Sequence, residues 1–207
     1  MYSLTKQEVS FLKKLNTPNK IQDYLDSISF NFEEKGETAM SPRRVMREKK
    51  AHCIEGAFFA ATALMISGDR PLIMNLKVSG KDFDHCVALF KKNGYWGAIS
   101  KTNHAVLRFR DPIYKTIREL ALSYFHEYFL ITNGDKTLRG YTEPMDMKKF
   151  GSTWMTDEND LWDIAEKIFY MKHTQIIPEK NKKYIRKASE IERKGAGIEE
   201  WNKNRKK

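Results

Sequence analysis

Cysteine is nearly absent from this chain: two residues in 207, Cys53 and Cys86. A pair cannot supply the disulfide framework that holds small secreted domains together. No apolar run approaches the roughly 20 residues that cross a bilayer as a helix, and Met1 to Glu8 has no apolar signal-peptide core. The chain therefore reads as soluble and cytoplasmic, with no membrane partner. Internal repeats and low-complexity tracts are missing too. Proline is scarce, and all six (Pro18, Pro42, Pro71, Pro112, Pro144 and Pro178) fall at places where the local pattern starts, stops or breaks.

Acidic charge is the minority sign, with 27 Asp and Glu against 37 Lys and Arg and a formal net charge of +10. The excess is uneven, since residues 179–207 hold eleven Lys or Arg against five Glu. Such a segment either contacts nucleic acid or a charged surface, or is a solvated helix with a tail. No base-stacking motif accompanies the charge, which makes nucleic acid the weaker partner. With 41% hydrophobic and 12% aromatic residues there is material for one core. The expected organisation is one domain over 1–178, followed by a basic helix and tail over 179–207.

Periodicity places the elements. Leu4 to Leu15 has helical spacing, Thr17-Pro18 caps a helix over 19–28, and Ser41-Pro42 opens a short one with Arg43, Arg44 and Arg47 outward. Residues 51–65, AHCIEGAFFAATALM, form an apolar helix rich in small residues that ends at Ser67-Gly68. The period then changes to that of strands over 72–78, 83–90 and 95–100, with a turn at 79–82 and Asn93-Gly94 as a tight hairpin turn. An extended segment over 104–110, a helix over 113–130, an extended stretch over 137–147 and a helix from Thr156-Asp157-Glu158 to about Met171 follow. A last amphipathic helix runs from Pro178.

Cys53 stands at the start of the apolar helix. Unpaired N–H groups and the positive end of the helix dipole favour thiolate there, and the same N–H groups can hold an oxyanion. His85 begins a strand. If Asn93-Gly94 are the turn residues, Lys92 faces Tyr95, and His85 falls opposite Thr102 with Ser100 and Asn103 nearby. Small polar groups then lie where one can hold the imidazole, the part played by the third member of a nucleophile–base–orienter set. Glu55, about 200° round the helix from Cys53, serves the helix N-terminus instead. Arg108, Arg110, Arg118 and Arg139 suit either an acidic ligand or surface ion pairs. His52-Cys53 and His85-Cys86 match no zinc spacing, and adjacent strand residues point to opposite faces, so no metal is expected.

His52-Cys53-Ile54-Glu55-Gly56-Ala57 before an apolar helix, then Asp84-His85-Cys86-Val87-Ala88-Leu89-Phe90, then Gly94-Tyr95-Trp96-Gly97-Ala98-Ile99-Ser100, resemble the transglutaminase-like, papain-related cysteine enzyme superfamily over about residues 15–130. The similarity is closest to a prokaryotic group within it. It implies an α+β fold, a Cys-bearing helix packed on a small antiparallel sheet, with extra helices at both ends. It implies Cys53 as nucleophile, His85 as general base and Ser100 at the position of the acidic third residue. It also implies acyl transfer or hydrolysis at an amide of a peptide, protein or small molecule, without a cofactor. Ser100 departs from the family's carboxylate: a hydroxyl orients an imidazole but does not stabilise imidazolium as a carboxylate does. Thr102, Asn103 and Asp111 remain alternatives for that place, and a catalytically degenerate binding or scaffold module remains the alternative function.

Overall fold

Thr5, Thr17 and Ser41 each begin a helix in the same way, by accepting a backbone N–H three residues on: Glu8 at 3.2 Å, Lys20 at 3.3 Å and Arg44 at 3.4 Å. A computed structural model describes residues 3–80 and 82–201 of the chain. The three capped helices are α1 (Lys6–Lys14), α2 (Pro18–Ser27) and, after the short strand β1 (Ser29–Phe30), α3 (Pro42–Glu48). Strand β2 (Lys50–Ala51) runs parallel to β1 and leads directly into α4 (Cys53–Ile66). Every residue of α4 from Ile54 to Met65 is buried, so its small side chains serve packing on all sides.

The sheet follows: β3 (Leu72–Val78), β4 (His85–Lys92), β5 (Tyr95–Ile99) and β6 (Arg110–Tyr114), then α5 (Ile117–Ser123), β7 (Leu138–Thr142), β8 (Met145–Asp146), α6 (Trp162–Phe169), β9 (His173–Gln175) and α7 (Glu190–Ala196). Its order is β6-β5-β4-β3-β7-β9, all antiparallel, with β8 pairing the start of β3. One face takes α4: Ile54, Ala57 and Phe58 pack with Ile73 and Cys86, while Phe59, Ala60 and Leu64 pack with Ala88, Phe90 and Ile99 and bring in Leu12, Ile21 and Leu25 of α1 and α2. The other face packs Val87, Leu89 and Ala98 against Leu120, Ala121 and Tyr124. The fold is thus a mixed α+β arrangement with the helix of Cys53 laid on an antiparallel sheet. Among the described residues no helix is long and apolar enough to cross a membrane.

The β4–β5 hairpin has the register expected from its turn, Lys92↔Tyr95 through Ala88↔Ile99, and Asn93 and Gly94 both take positive φ, 49° and 87°. Other expectations need correction. The strand expected over 83–90 begins at His85, because the Asp84 carboxylate is spent on Asn75, Lys77 and the Val78 N–H. The helix expected over 113–130 is only α5: residues 110–114 form β6, an outermost strand, where Pro112 needs no ladder hydrogen bond on its open side. Thr156-Asp157-Glu158 caps nothing. Asp157 instead closes a local turn on Asn159, and α6 starts after Leu161. Beyond Pro178 a 3₁₀ segment, Glu179–Tyr184, and the seven-residue α7 replace a continuous helix. Lys81, in the turn expected at 79–82, and the tail over 202–207 lie outside the described residues.

Gly56 shows how tightly α4 is held. A Cβ built there would lie 2.5 Å from the Cβ of Lys101, an atom fixed by its own backbone. Helix propensity favours Ala over Gly by up to about 1 kcal/mol, but overpacking of this kind costs about 1–3 kcal/mol. Gly56→Ala is therefore expected to lower the midpoint of thermal unfolding by a few degrees rather than raise it, as circular dichroism would read.

Candidate active site

The start of α4 is built from a buried carboxylate. Glu55 is fully buried, and it accepts hydrogen bonds from the His52 N–H at 2.9 Å, the Met40 N–H at 3.0 Å, the Thr38 hydroxyl at 2.7 Å and the Asn31 amide at 3.1 Å. The N-cap residue, the segment that precedes α3 and the end of β1 are thereby tied to one side chain. This is the helix-terminus role expected of Glu55. Cys53 follows His52 as the first residue of the helix, half-buried in the wall of a cleft of about 890 Å³.

His85, the first residue of β4, lines the same cleft as Cys53, and its imidazole favours the charged form of the thiol. Its Nε2 lies 2.8 Å from Ser100 Oγ. The Ser100 hydroxyl has one proton, and that proton goes to the Leu107 carbonyl at 2.5 Å. Ser100 Oγ must therefore accept from His85 Nε2–H, which leaves Nδ1 as the ring nitrogen that can take up or give a proton. A neutral hydroxyl fixes the tautomer of His85.

Ser100 is itself clamped. The Gln22 side chain of α2 accepts from the Ser100 N–H at 2.9 Å and donates to the Ser100 carbonyl at 2.8 Å. Next to it the buried Lys101 ammonium binds the carbonyls of Leu25 and Ile28 at the end of α2, both at 2.7 Å. Burial brings this amine's pKa down to about 8. Leu107 turns its carbonyl toward Ser100 with φ at 61°, a left-handed conformation unusual for leucine, and Glu127 holds it through the Leu107 N–H at 2.7 Å.

Of the alternatives for the third position, Thr102 accepts from the His104 N–H and Asp111 stands exposed on β6. Thr102 and Asn103 line the cleft, but among the described residues Ser100 is the side chain bonded to the far ring nitrogen of His85. The four arginines are engaged elsewhere. Arg110 pairs with Glu127 at 2.6 Å and Arg108 with Glu200 at 3.1 Å, while Arg118 and Arg139 bind backbone carbonyls. Among the described residues no three His, Cys, Asp or Glu are grouped to hold a metal ion. The described part of the basic C-terminal segment pairs Lys182 with Glu179, Lys187 with Asp135 and Lys194 with Glu190.

Sequence reasoning weighed His52 only as a metal ligand and gave it no part in the chemistry of Cys53. It is largely buried, with Nδ1 at 4.0 Å from Cys53 Sγ and Nε2 at 2.8 Å from the Thr38 carbonyl. Its position directly before the cysteine was the available signal. It caps the helix through its backbone and approaches the Cys53 sulfur through its ring. Gln22, far away in sequence, left no signal at all.

Burial works against a charge on Cys53, but the hydrogen bonds and charges of His52 and His85 outweigh it and hold the thiol's pKa down to about 5. Burial, reinforced by the charges of Cys53 and Asp84, pushes the Cys86 thiol well up. The site can therefore present a sulfur nucleophile beside an imidazole whose second nitrogen is fixed. No protein-family model matches the chain, and no curated protein matches it either.

Iodoacetamide should alkylate Cys53 at a rate that stays level from pH 8 to pH 6 and falls only on approach to pH 5, because ionisation precedes that range. Cys86 should stay unlabelled until the protein unfolds. Mass spectrometry of the two cysteine peptides across pH reads both.

Proposed function

We propose that the chain is a cysteine-dependent amide hydrolase or acyltransferase of the transglutaminase-like, papain-related kind, acting on a peptide, protein or small amide. The observation that carries this is the convergence of Cys53, His85 and Ser100: a thiol at a helix start, an imidazole in the wall of the same cleft, and a hydroxyl that accepts from one of its ring nitrogens. The Cys53 helix packed on an antiparallel sheet that bears His85 on its second long strand supports the family comparison. The cytoplasm, where thiols stay reduced, suits a chain whose two described cysteines are both free.

In the reaction the Cys53 sulfur attacks the amide carbonyl carbon. The leaving nitrogen takes a proton from the His85 imidazolium as the C–N bond breaks, which leaves a thioester and a neutral imidazole. His85 then takes a proton from the water, or from the acceptor amine, that displaces the sulfur. Throughout, Nε2–H stays on Ser100, so Nδ1 is the nitrogen that exchanges the proton. The N–H groups of the first turn of α4 have no acceptor within the helix and would serve as donors to the oxyanion. Because Ser100 carries no charge, it orients His85 without stabilising its charged form.

p-Nitrophenyl acetate, an activated acyl donor, provides the test. The chain should release one equivalent of nitrophenolate in a burst and then turn over, with both phases lost in Cys53→Ser. Ser100→Ala should keep the burst and slow turnover by about 10- to 100-fold, while Ser100→Asp should retain activity. A chain with no Cys53-dependent burst is the degenerate binding module instead.

A further inference from the structure

Two histidines, not one, present a ring to the nucleophile, and they are supported in opposite ways. Each has its Nε2 tied to a group that can only accept. For His52 the acceptor is the Thr38 carbonyl at 2.8 Å, and for His85 it is the Ser100 hydroxyl, whose proton is committed to Leu107. Nε2 therefore carries a hydrogen in both rings, and any second proton goes to Nδ1. In His52 that Nδ1 is 4.0 Å from Cys53 Sγ.

The difference lies behind the rings. His85 is backed by a neutral hydroxyl. His52 is backed by two carboxylates, Glu33 at 3.4 Å and the buried Glu55 at 3.5 Å from Nε2. The negative charge that a carboxylate in place of Ser100 would have supplied stands instead behind the other imidazole. Imidazolium is the form that a buried carboxylate stabilises.

Resting on the cysteine-enzyme reading above, we propose that His52 is the standing counter-charge of the Cys53 thiolate, while His85 alone carries protons to and from the substrate. The cycle balances. Cys53 thiolate, His52 imidazolium and His85 imidazolium meet the amide. Attack forms the C–S bond, and the His85 proton leaves with the amine. Water then attacks the thioester, gives a proton to His85, and the C–S bond breaks to return the thiolate to His52, which has kept its proton throughout.

The groups that face this pair agree in sign. Glu33 and Glu55 approach His52 from the segment before α3 and from α4, and His85 on β4 lines the same cleft. Cys86 and Tyr128 are close enough to feel the thiolate but are pushed toward their neutral forms by burial. Lys77, Asp84 and Lys101 line the cleft wall, the first two paired with each other and Lys101 bound to carbonyls. Burial alone would discharge His52. Its bond and charge contact with Cys53, followed by Glu55 and Thr38, reverse this and raise its pKa to about 10.

Histidine-selective ¹⁵N NMR on the full chain, combined with iodoacetamide kinetics, tests the assignment. At pH 8 the His52 ring should be protonated on both nitrogens, and it should lose one proton in Cys53→Ala. His52→Gln should cut alkylation at pH 6 by about tenfold relative to pH 8.5, the effect of raising the thiol's pKa by two units or so. Glu33→Gln, which leaves the helix start intact, should cut the same ratio several-fold. His85→Gln should change that ratio less than His52→Gln does, but should arrest turnover of p-nitrophenyl acetate after the burst. A neutral His52 ring at pH 8 beside a reactive thiolate overturns the proposal and leaves the Cys53–His85 enzyme standing. An unreactive Cys53 at pH 6 in the unaltered chain overturns both.

Discussion

A carboxylate with no exposed surface needs a donor for each lone pair, and Glu55 finds its donors in three separate stretches of chain. Leaving such a charge unpaired in the interior costs several kcal/mol. The segment over residues 31–40, the N-cap of α4 and the end of β1 must therefore close around it together. That closure sets where α4 begins, and with it the direction in which the Cys53 sulfur leaves the helix. It also brings the Thr38 carbonyl to His52 and seats the ring against the sulfur.

On the other wall of the cleft, position is set by hydroxyl arithmetic rather than by charge. Ser100 has one proton and two neighbours, the Leu107 carbonyl and His85 Nε2. The first consumes the proton, so the second must bring its own. The backbone around Ser100 is held from behind by Gln22 on α2, a helix whose own last carbonyls are tied down by Lys101. Helix α2 and strand β5 thus act as one body at this point, and the orientation of His85 depends on packing far from the cleft.

Much of this was legible in the sequence because it is local. The Thr5, Thr17 and Ser41 caps, the apolar helix after Cys53 and the Asn93-Gly94 hairpin are each specified within a few residues, and the hairpin register put Ser100 within reach of His85. What failed was non-local. An outermost strand containing Pro112 reads like a break before a helix, because nothing nearby announces that β5 pairs with it. The supports of Ser100 and Glu55 come from partners 78 and 24 residues away for Gln22 and Asn31, beyond any periodicity. The part of His52 beside Cys53 was overlooked for the opposite reason. Its neighbour in sequence drew the chemical attention, and a residue at a helix N-cap is ordinarily judged by its backbone alone.

A thiol whose pKa is held down to about 5 in the wall of a cleft has a chemical liability. Thiolate is the form that peroxide oxidises, first to a sulfenic acid that a second thiol can rescue. The other cysteine that could rescue it is sealed in the core, donating to Asn75 at 3.5 Å, with its own ionisation suppressed. Cys53 therefore has no built-in resolving partner within the described chain. Its return to the reduced state after an oxidative episode falls to small external thiols that can enter the cleft.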